Sequence, residues 1–182
     1  MANARTPRAT WIDEGLRALA AGGVEAVRVE TLAKALGVTK GGFYWHFDDR
    51  PALLEHMLDQ WERMVIDEVI AYVEGEGGDA RTKVRRLFTL ANSDPSLLNI
   101  ELAIRDWARR DKAVMKRIKR IDNRRMEYMR SLFGAFCPDE DEVEVRCLFA
   151  MTLFLGNHFM VADHRGRSRA DVLKLALKKL EA

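Results

Sequence analysis

The side chains best suited to contact another molecule are concentrated in the stretch LAKALGVTKGGFYWHF, residues 32–47. A short helix with apolar periodicity ends at Gly37, and Thr39 is a suitable N-cap for a second helix that extends to Phe47. Two short helices joined by a tight turn form a helix-turn-helix. At about 100° per residue, the second helix turns Phe43 and Phe47 inward, Gly41, Gly42, Tyr44 and Trp45 outward, and Lys40 and His46 to its edges.

Two adjacent glycines, at positions 41 and 42, are unfavourable inside a helix. Each glycine costs about 1 kcal/mol relative to alanine in a helix, and a close approach of the backbone to another molecule would offset that cost. Exposed aromatics beside two glycines could also belong to a ligand-binding helix or a dimer contact. The coincidence of turn, cap and aromatic string favours the helix-turn-helix.

The run GVTKGGFYWHF, followed by DDRPALLEHML, resembles the DNA-binding domain of the TetR family of transcriptional regulators. The resemblance is strong over roughly residues 8 to 60. It implies that the second helix enters the major groove and that most of its contacts go to phosphates, which set the register on the duplex. The DNA contacts that it implies are Thr39, Lys40, Gly41, Gly42, Tyr44, Trp45 and His46, with a phosphate contact at Arg50.

Lys40 is the best candidate for reading the sequence, because its ammonium group can donate to O6 and N7 of guanine. Tyr44 and His46 are better suited to phosphate oxygens. Each has an alternative, since His46 could form a hydrogen bond within the fold and Tyr44 could serve mainly in packing. Arg5 and Arg8 form either a flexible arm that reaches the DNA or a tail without defined contacts.

Three positions depart from the family pattern. Gly42 stands where members often carry a polar side chain, which implies less base readout there. Arg50 replaces the usual lysine and keeps its charge. Arg28 stands where many members have a Ser or Thr cap, so a phosphate contact near that helix start is uncertain.

Composition bounds the class of protein. The chain has 182 residues, 48% hydrophobic residues and a net charge of +2, so composition alone does not indicate nucleic acid. No apolar run reaches the roughly 20 residues of a membrane helix, and the N-terminus lacks the apolar core of a secretory signal; we expect a cytoplasmic protein without membrane contact. The isolated Cys137 and Cys147 are expected to be reduced and structural, and neither a metal site nor a cofactor is expected.

Apolar periodicity predicts helices throughout and no strand, which gives an all-α fold. We predict an N-terminal three-helix DNA-binding domain over residues 1–48 and a larger helical bundle for ligand binding and dimerisation over residues 49–182. Asp49, Asp79, Asp139 and Ser168 are among the candidate N-caps. The predicted helices are residues 10–21, 30–36, 39–47, a long helix from Asp48 or Asp49 through Tyr72, and then 80–91, 95–109, 112–136, 140–162 and 169–180.

The family resemblance also implies a homodimer and a small-molecule effector. The last two helices would form the dimer interface, although their apolar surface could instead be intramolecular core. Each residue that could line the effector pocket could instead be an ordinary residue of the hydrophobic core. The candidate interface residues are Phe149, Thr152, Leu155, Gly156, Phe159, Leu173 and Leu177, and the candidate pocket residues are Trp61, Met64, Phe88, Trp107, Tyr128, Met151, Asn157 and His158.

These patterns together predict a DNA-binding transcriptional regulator, a dimeric repressor released from a palindromic operator by a small molecule. A transcriptional activator and a helical ligand-binding or scaffolding protein with a vestigial DNA-binding domain are the alternatives. An enzyme is not expected, because the chain contains none of GxSxG, a P-loop, HExxH or GxGxxG.

Overall fold

The computed structural model describes residues 6–182, which form ten α-helices and no β-strand within that range. The predicted all-α fold class is confirmed. A one-turn 3₁₀ helix at Val24–Ala26 and a π-helical turn at Arg63–Asp67 accompany them. The helices are α1 (Arg8–Gly22), α2 (Val29–Ala35), α3 (Lys40–Phe43), α4 (Arg50–Glu62), α5 (Glu68–Gly75), α6 (Ala80–Ala91), α7 (Pro95–Ala108), α8 (Lys112–Gly134), α9 (Glu140–Gly156) and α10 (Arg169–Glu181).

Side-chain caps fix where several helices begin. The carboxylate of Asp49 accepts a hydrogen bond from the Ala52 amide at 2.8 Å, which satisfies one of the orphan donors at the start of α4. Asp79, Asp139 and Ser168 cap α6, α9 and α10 in the same way, as predicted. The helix predicted to begin at residue 10 begins instead at Arg8, directly after Pro7.

Two helices end well before the predicted residue. The helix expected over residues 39–47 is helical only from Lys40 to Phe43, because two glycines lower its helix propensity and the carbonyl of Phe43 accepts from both the His46 and Phe47 amides in a closing turn. The helix expected to reach residue 162 ends at Gly156. Beyond it, the Arg169 guanidinium donates to the carbonyl of Asn157 at 2.5 Å and satisfies an acceptor at the helix end.

The predicted long fourth helix contains a feature that periodicity does not reveal. The π-helical turn at Arg63–Asp67 separates α4 from α5. A π turn adds about one residue to a helical turn and is often found at functional positions. The apolar pattern continues on both sides of the turn, so the sequence gives no sign of it.

The chain divides into two compact units. The first comprises the residues up to Asp67 together with Pro95–Arg120. In it, α1 packs against α4 and α7, and a Cβ added at Gly15 would lie 2.6 Å from Sδ of Met57, so glycine permits the close approach of α1 to α4. Its largest fully buried side chains include Trp11, Trp61 and Phe43.

A buried carboxylate lies inside the first unit. Glu101 on α7 is 1% exposed. It accepts hydrogen bonds from Nε1 of Trp61 at 3.2 Å and from Nε of Arg105, one turn later, at 2.7 Å. Nearer the surface of the same unit, Arg117 forms ion pairs with three carboxylates of α4, those of Glu55, Asp59 and Glu62.

The second unit comprises Glu68–Asp94 and Ile121–Ala182. Helices α6, α8, α9 and α10 supply its core, in which Phe133 and Cys147 are almost completely buried. At its surface the hydroxyl of Tyr128 donates to the Glu74 carboxylate at 2.8 Å, and Lys83 binds the same carboxylate. Hydrogen bonds from Lys83 and then Tyr128 hold the pKa of Glu74 below its ordinary value.

The division into units does not coincide with the domain boundary predicted between residues 48 and 49. Helices α4 and α7 both pack on α1, so they belong to the same compact unit as the helix-turn-helix. The boundary at residue 48 was drawn by role rather than by packing, and it stays a prediction.

Candidate nucleic-acid interface

Helices α2 and α3 are joined by the turn that the sequence predicts. Gly37 has φ of +67°, in the left-handed region that favours glycine. The amide of Val38 donates back to the carbonyl of Ala33 at 2.9 Å and closes the end of α2. The chain therefore reverses sharply and begins α3 at Lys40, as a helix-turn-helix requires.

The inward side of the segment is anchored by aromatic packing. Phe43 is completely buried and Phe47 nearly so, as predicted. The ring of Phe43 meets Trp11 of α1 edge-on at a centroid distance of 5.5 Å and stacks on Phe47 at 5.2 Å. These contacts fix the segment to α1, so that α3 keeps its orientation although it has only one helical turn.

The outward side presents large aromatic side chains to solvent. Tyr44 is 61% and Trp45 69% exposed, as predicted for them. Thr39, Lys40 and Gly41 are also exposed. The Thr39 side chain does not accept the predicted capping hydrogen bond from a backbone amide, so its hydroxyl can donate or accept elsewhere.

Gly42 differs from the prediction, which placed it outward. It is half-buried, and a Cβ added there would lie 3.7 Å from the indole ring of Trp11. Its side of the backbone therefore faces the core, and the outward glycine of the pair is Gly41.

Lys40 is not an isolated cation. Its Nζ donates to Oε1 of Glu30 on α2 at 2.7 Å, and both side chains are more than half exposed. The hydrogen bond from Lys40 is the main reason that the pKa of Glu30 is lowered. The sequence does not reveal this contact, because Glu30 and Lys40 are ten positions apart with a turn between them and no local spacing relates them.

His46 and Arg50 both bond within the first unit. Nε2 of His46 lies 2.9 Å from the carbonyl oxygen of Thr6, which agrees with the alternative of a hydrogen bond within the fold. The Arg50 guanidinium donates to the carbonyls of Val27 at 2.6 Å and Val24 at 2.5 Å. Those carbonyls lie just before α2, so Arg50 connects the start of α4 to the helix-turn-helix.

Of the two arginines of the predicted N-terminal arm, Arg8 is among the described residues. Arg8 lies at the start of α1, with its guanidinium carbon 5.1 Å from the centre of the Phe47 ring. Arg5 falls outside the described residues.

The candidate pocket residues fall in both units. Trp61, Met64 and Trp107 belong to the first, where Trp61 is buried against Glu101. Phe88, Tyr128 and Met151 pack beside the core of the second unit. Asn157 and His158 follow the end of α9. Nε2 of His158 is buried without a hydrogen-bond partner, and burial lowers the pKa of this imidazole.

The candidate dimer residues lie on α9, α10 and the segment after α9. The side of α9 that carries Val143, Cys147 and Ala150 is buried in the second unit. Beyond Glu144 its other side carries exposed apolar side chains, with Phe149 at 56% and Phe159, just beyond the helix, at 70%. Thr152 is also exposed, whereas Leu155, Gly156, Leu173 and Leu177 are half-buried, and Leu177 packs against the core of its own unit.

Across residues 6–182, no group of three or more His, Cys, Asp or Glu side chains is placed to hold a metal ion. The helices of that range are all too short or too polar to cross a membrane. Cys137 and Cys147 are unpaired, and burial raises the pKa of the Cys147 thiol to about 11.

Comparisons with known proteins agree with this geometry. Residues 12–57 match the family model described as bacterial regulatory proteins, tetR family. The HTH-type transcriptional regulator AcrR of Shigella flexneri is 30% identical over 84 residues, which cover 46% of this chain and 39% of AcrR. The alignment thus spans about two fifths of that relative.

Solved structures share the fold over nearly the whole chain. A TetR-like transcriptional regulator from Rhodococcus sp. RHA1 is 15% identical with a TM-score of 0.66, and the match covers 97% of this chain and 96% of that one. The multidrug binding protein EbrR, solved in complex with imidazole, is 18% identical with a TM-score of 0.59 and 96% of each chain covered. Residues 12–57 therefore carry the helix-turn-helix of the tetR family of bacterial regulatory proteins, and the helical fold of the chain is shared with these solved structures.

Proposed function

We propose that the protein is a dimeric transcriptional repressor that binds a palindromic operator and is released by a small molecule. The observation that carries this proposal is the exposed face of the helix-turn-helix. There Lys40, Tyr44 and Trp45 point away from a segment that Phe43 and Phe47 fix to the core. The protein would act on chromosomal DNA in the cytoplasm, and no catalytic role is proposed.

The residues of this face would divide into contacting and positioning groups. Thr39, Lys40, Gly41, Tyr44 and Trp45 are exposed and are proposed to touch the DNA. The tyrosine hydroxyl and indole N–H can donate to phosphate oxygens, while Lys40 reaches base edges.

Three other residues would hold this face in place. Gly42 lies against Trp11, His46 against the Thr6 carbonyl, and Arg50 against two carbonyls before α2. We therefore propose that they position the helix-turn-helix. Arg8 would support it through Phe47.

Dimerisation would use the exposed apolar side of α9 and the segment after it. Leu148, Phe149 and Phe159 are each more than half exposed, although α9 already buries its opposite side in the core. A symmetric dimer covers such a face with the same face of a second copy. It also pairs two helix-turn-helix units with the two half-sites of a palindrome.

An effector site is proposed in the second unit. The similarity to a multidrug binding protein supports a small-molecule ligand. His158 offers a buried nitrogen without a partner, close to the aromatic ring of Phe154 at a centroid distance of 6.5 Å. A ligand that satisfies this nitrogen and favours a state with low DNA affinity would release the repressor, because coupling between two sites is reciprocal.

The DNA-binding proposal is tested by measuring affinity for duplexes selected from random-sequence DNA, as a function of salt. Neutralised phosphates make the logarithm of the affinity fall linearly with the logarithm of the salt concentration. Tyr44→Phe should weaken binding about tenfold, since a hydrogen bond to a charged phosphate is lost. Tyr72→Phe, an equally conservative change at an exposed tyrosine of α5, should leave the affinity unchanged.

Other outcomes distinguish the alternatives. Absence of salt-dependent binding to any selected duplex would favour a ligand-binding or scaffolding protein. Binding accompanied by increased transcription of the adjacent gene would identify an activator. For the effector, compounds that raise the thermal midpoint of the wild type but not of His158→Ala would support the site in the second unit, and equal stabilisation of both proteins would argue against it.

A further inference from the structure

The ion pair between Lys40 and Glu30 has the form of a base-pair reader. Nζ of Lys40 and Oε1 of Glu30 lie 2.7 Å apart, and the two side chains are 57% and 63% exposed. Lys40 is the first residue of α3, and the N-terminal residues of a recognition helix are those that contact base edges. The pair is therefore open to a third group on the side where DNA is proposed to bind.

A guanine–cytosine pair presents the complementary pattern in the major groove. Guanine O6 is an acceptor, and it lies about 2.9 Å from the cytosine N4 donor to which it is hydrogen-bonded. An ammonium has three donors and a carboxylate has several lone pairs. Lys40 can thus keep its hydrogen bond to Glu30 while it donates to guanine O6 and N7. Glu30 can keep the same hydrogen bond while it accepts from cytosine N4.

A thymine–adenine pair fits the same two side chains poorly. It offers an acceptor at thymine O4 and a donor at adenine N6, but its outer groups differ. A methyl group stands where guanine has N7, next to the ammonium. The acceptor N7 of adenine stands beside the carboxylate and repels it. If either base pair is reversed, its amino donor faces the ammonium of Lys40 and its carbonyl acceptor faces the carboxylate of Glu30.

We propose that Glu30 is a second specificity-determining residue, which reads cytosine N4 while Lys40 reads the guanine of the same base pair. The inference rests on the proposed DNA-binding function. A carboxylate facing DNA costs affinity through repulsion from phosphates, and unfavourable pairing with the wrong partner is a general means of gaining specificity. The Lys40 hydrogen bond is the main cause of the lowered pKa of Glu30, and it favours the ionised carboxylate that would accept from cytosine N4.

The test is a selection from random-sequence duplexes with the full chain, followed by affinity measurements on the recovered duplex and on versions changed at single base pairs. Glu30→Gln should reduce the preference for guanine–cytosine over thymine–adenine at one position per half-site by about five- to tenfold. The base-pair preferences at the other positions of the half-site should be unchanged. Glu25→Gln removes the same charge from an exposed residue shortly before α2, and it should leave every preference unchanged.

A double variant tests whether the pair acts as a unit. Lys40→Met should lose the preference at the same position, and adding Glu30→Gln should cost little more, because neither member reads the pair alone. Circular dichroism of each variant checks that the exposed substitutions leave the fold intact.

Two results would overturn the inference. If Glu30→Gln tightens binding to all duplexes by the same factor, Glu30 only competes with DNA for Lys40. If the two single losses add, the residues act independently. Failure of the wild-type protein to enrich any duplex would instead overturn the proposed function itself.

Discussion

The ion pair between the buried carboxylate of Glu101 and Arg105 predicts a change in the free energy of unfolding when the arginine is replaced. The Glu101 side chain is 2% exposed and pairs with Arg105, which is 21% exposed, at 2.7 Å. We expect Arg105→Met to destabilise the first unit by about 3 kcal/mol, since removal of one partner of a buried pair takes away part of the compensation of the remaining charge.

The magnitude follows from two opposed terms. At 2.7 Å and an effective dielectric constant of about 20, the attraction is roughly 6 kcal/mol. Desolvation of the two ions, several kcal/mol each in buried sites, offsets most of it when the pair forms. In Arg105→Met the desolvation cost of Glu101 remains while its attraction to Arg105 is lost, so we expect a loss of stability close to the lower end of the range for buried pairs.

The matched control lies on the same stretch of chain. Arg110 pairs with Asp106, also four residues earlier, but these side chains are 69% and 58% exposed. Exposed pairs contribute at most about 1 kcal/mol, so Arg110→Met should change stability by less than that. The assay is urea unfolding followed by tryptophan fluorescence, because all four tryptophans belong to the first unit.

A double variant separates charge from packing. Glu101→Gln in the Arg105→Met background removes the buried charge and keeps an oxygen acceptor for the Trp61 indole, so it should recover about 2 kcal/mol of the loss. Equal midpoints for Arg105→Met and Arg110→Met would refute the reasoning, as would a double variant no more stable than the single one.

Three further predictions concern other parts of the fold. Asp49→Ala should destabilise the protein by about 1 kcal/mol through loss of the α4 cap, measured as a shift of the urea midpoint. Cys147, with a pKa of about 11, should be about 1% thiolate at pH 9, so iodoacetamide should label it only after unfolding. Because hydrogen bonds from Lys83 and Tyr128 depress the pKa of Glu74, its stabilising contribution is complete above its ordinary pKa and disappears as the pH falls through the lowered value. The thermal midpoints of wild type and Glu74→Gln should therefore converge in acid, and a difference that persists there would contradict this account.

Local patterns predicted the elements of the fold well. Capping residues and apolar periodicity are local properties, so the start of α4 at its Asp49 cap and the whole of α6 could be read from neighbouring residues. Helical geometry over residues 39–47 predicts the burial of Phe43 and Phe47 and the exposure of Tyr44, and the structure agrees although α3 itself ends at Phe43.

Features that depend on distant partners could not be predicted in this way. Glu30 meets Lys40 only because the turn at Gly37 folds one helix end against the next. Nothing local indicated that Glu101 would be buried, since its acceptor role requires the Trp61 indole from another helix. Gly42 was assigned to the outside because a helical wheel contains no information about where Trp11 lies.

The contact between His46 and the Thr6 carbonyl has a practical consequence for handling the protein. It brings the described beginning of the chain against the end of the helix-turn-helix. A group attached to the chain ahead of Thr6 would enter the structure next to this contact. A purification tag placed there would lie beside the surface proposed to bind DNA. Tags and fluorescent labels therefore belong at the C-terminus, and binding measured with an N-terminal fusion should be repeated after its removal.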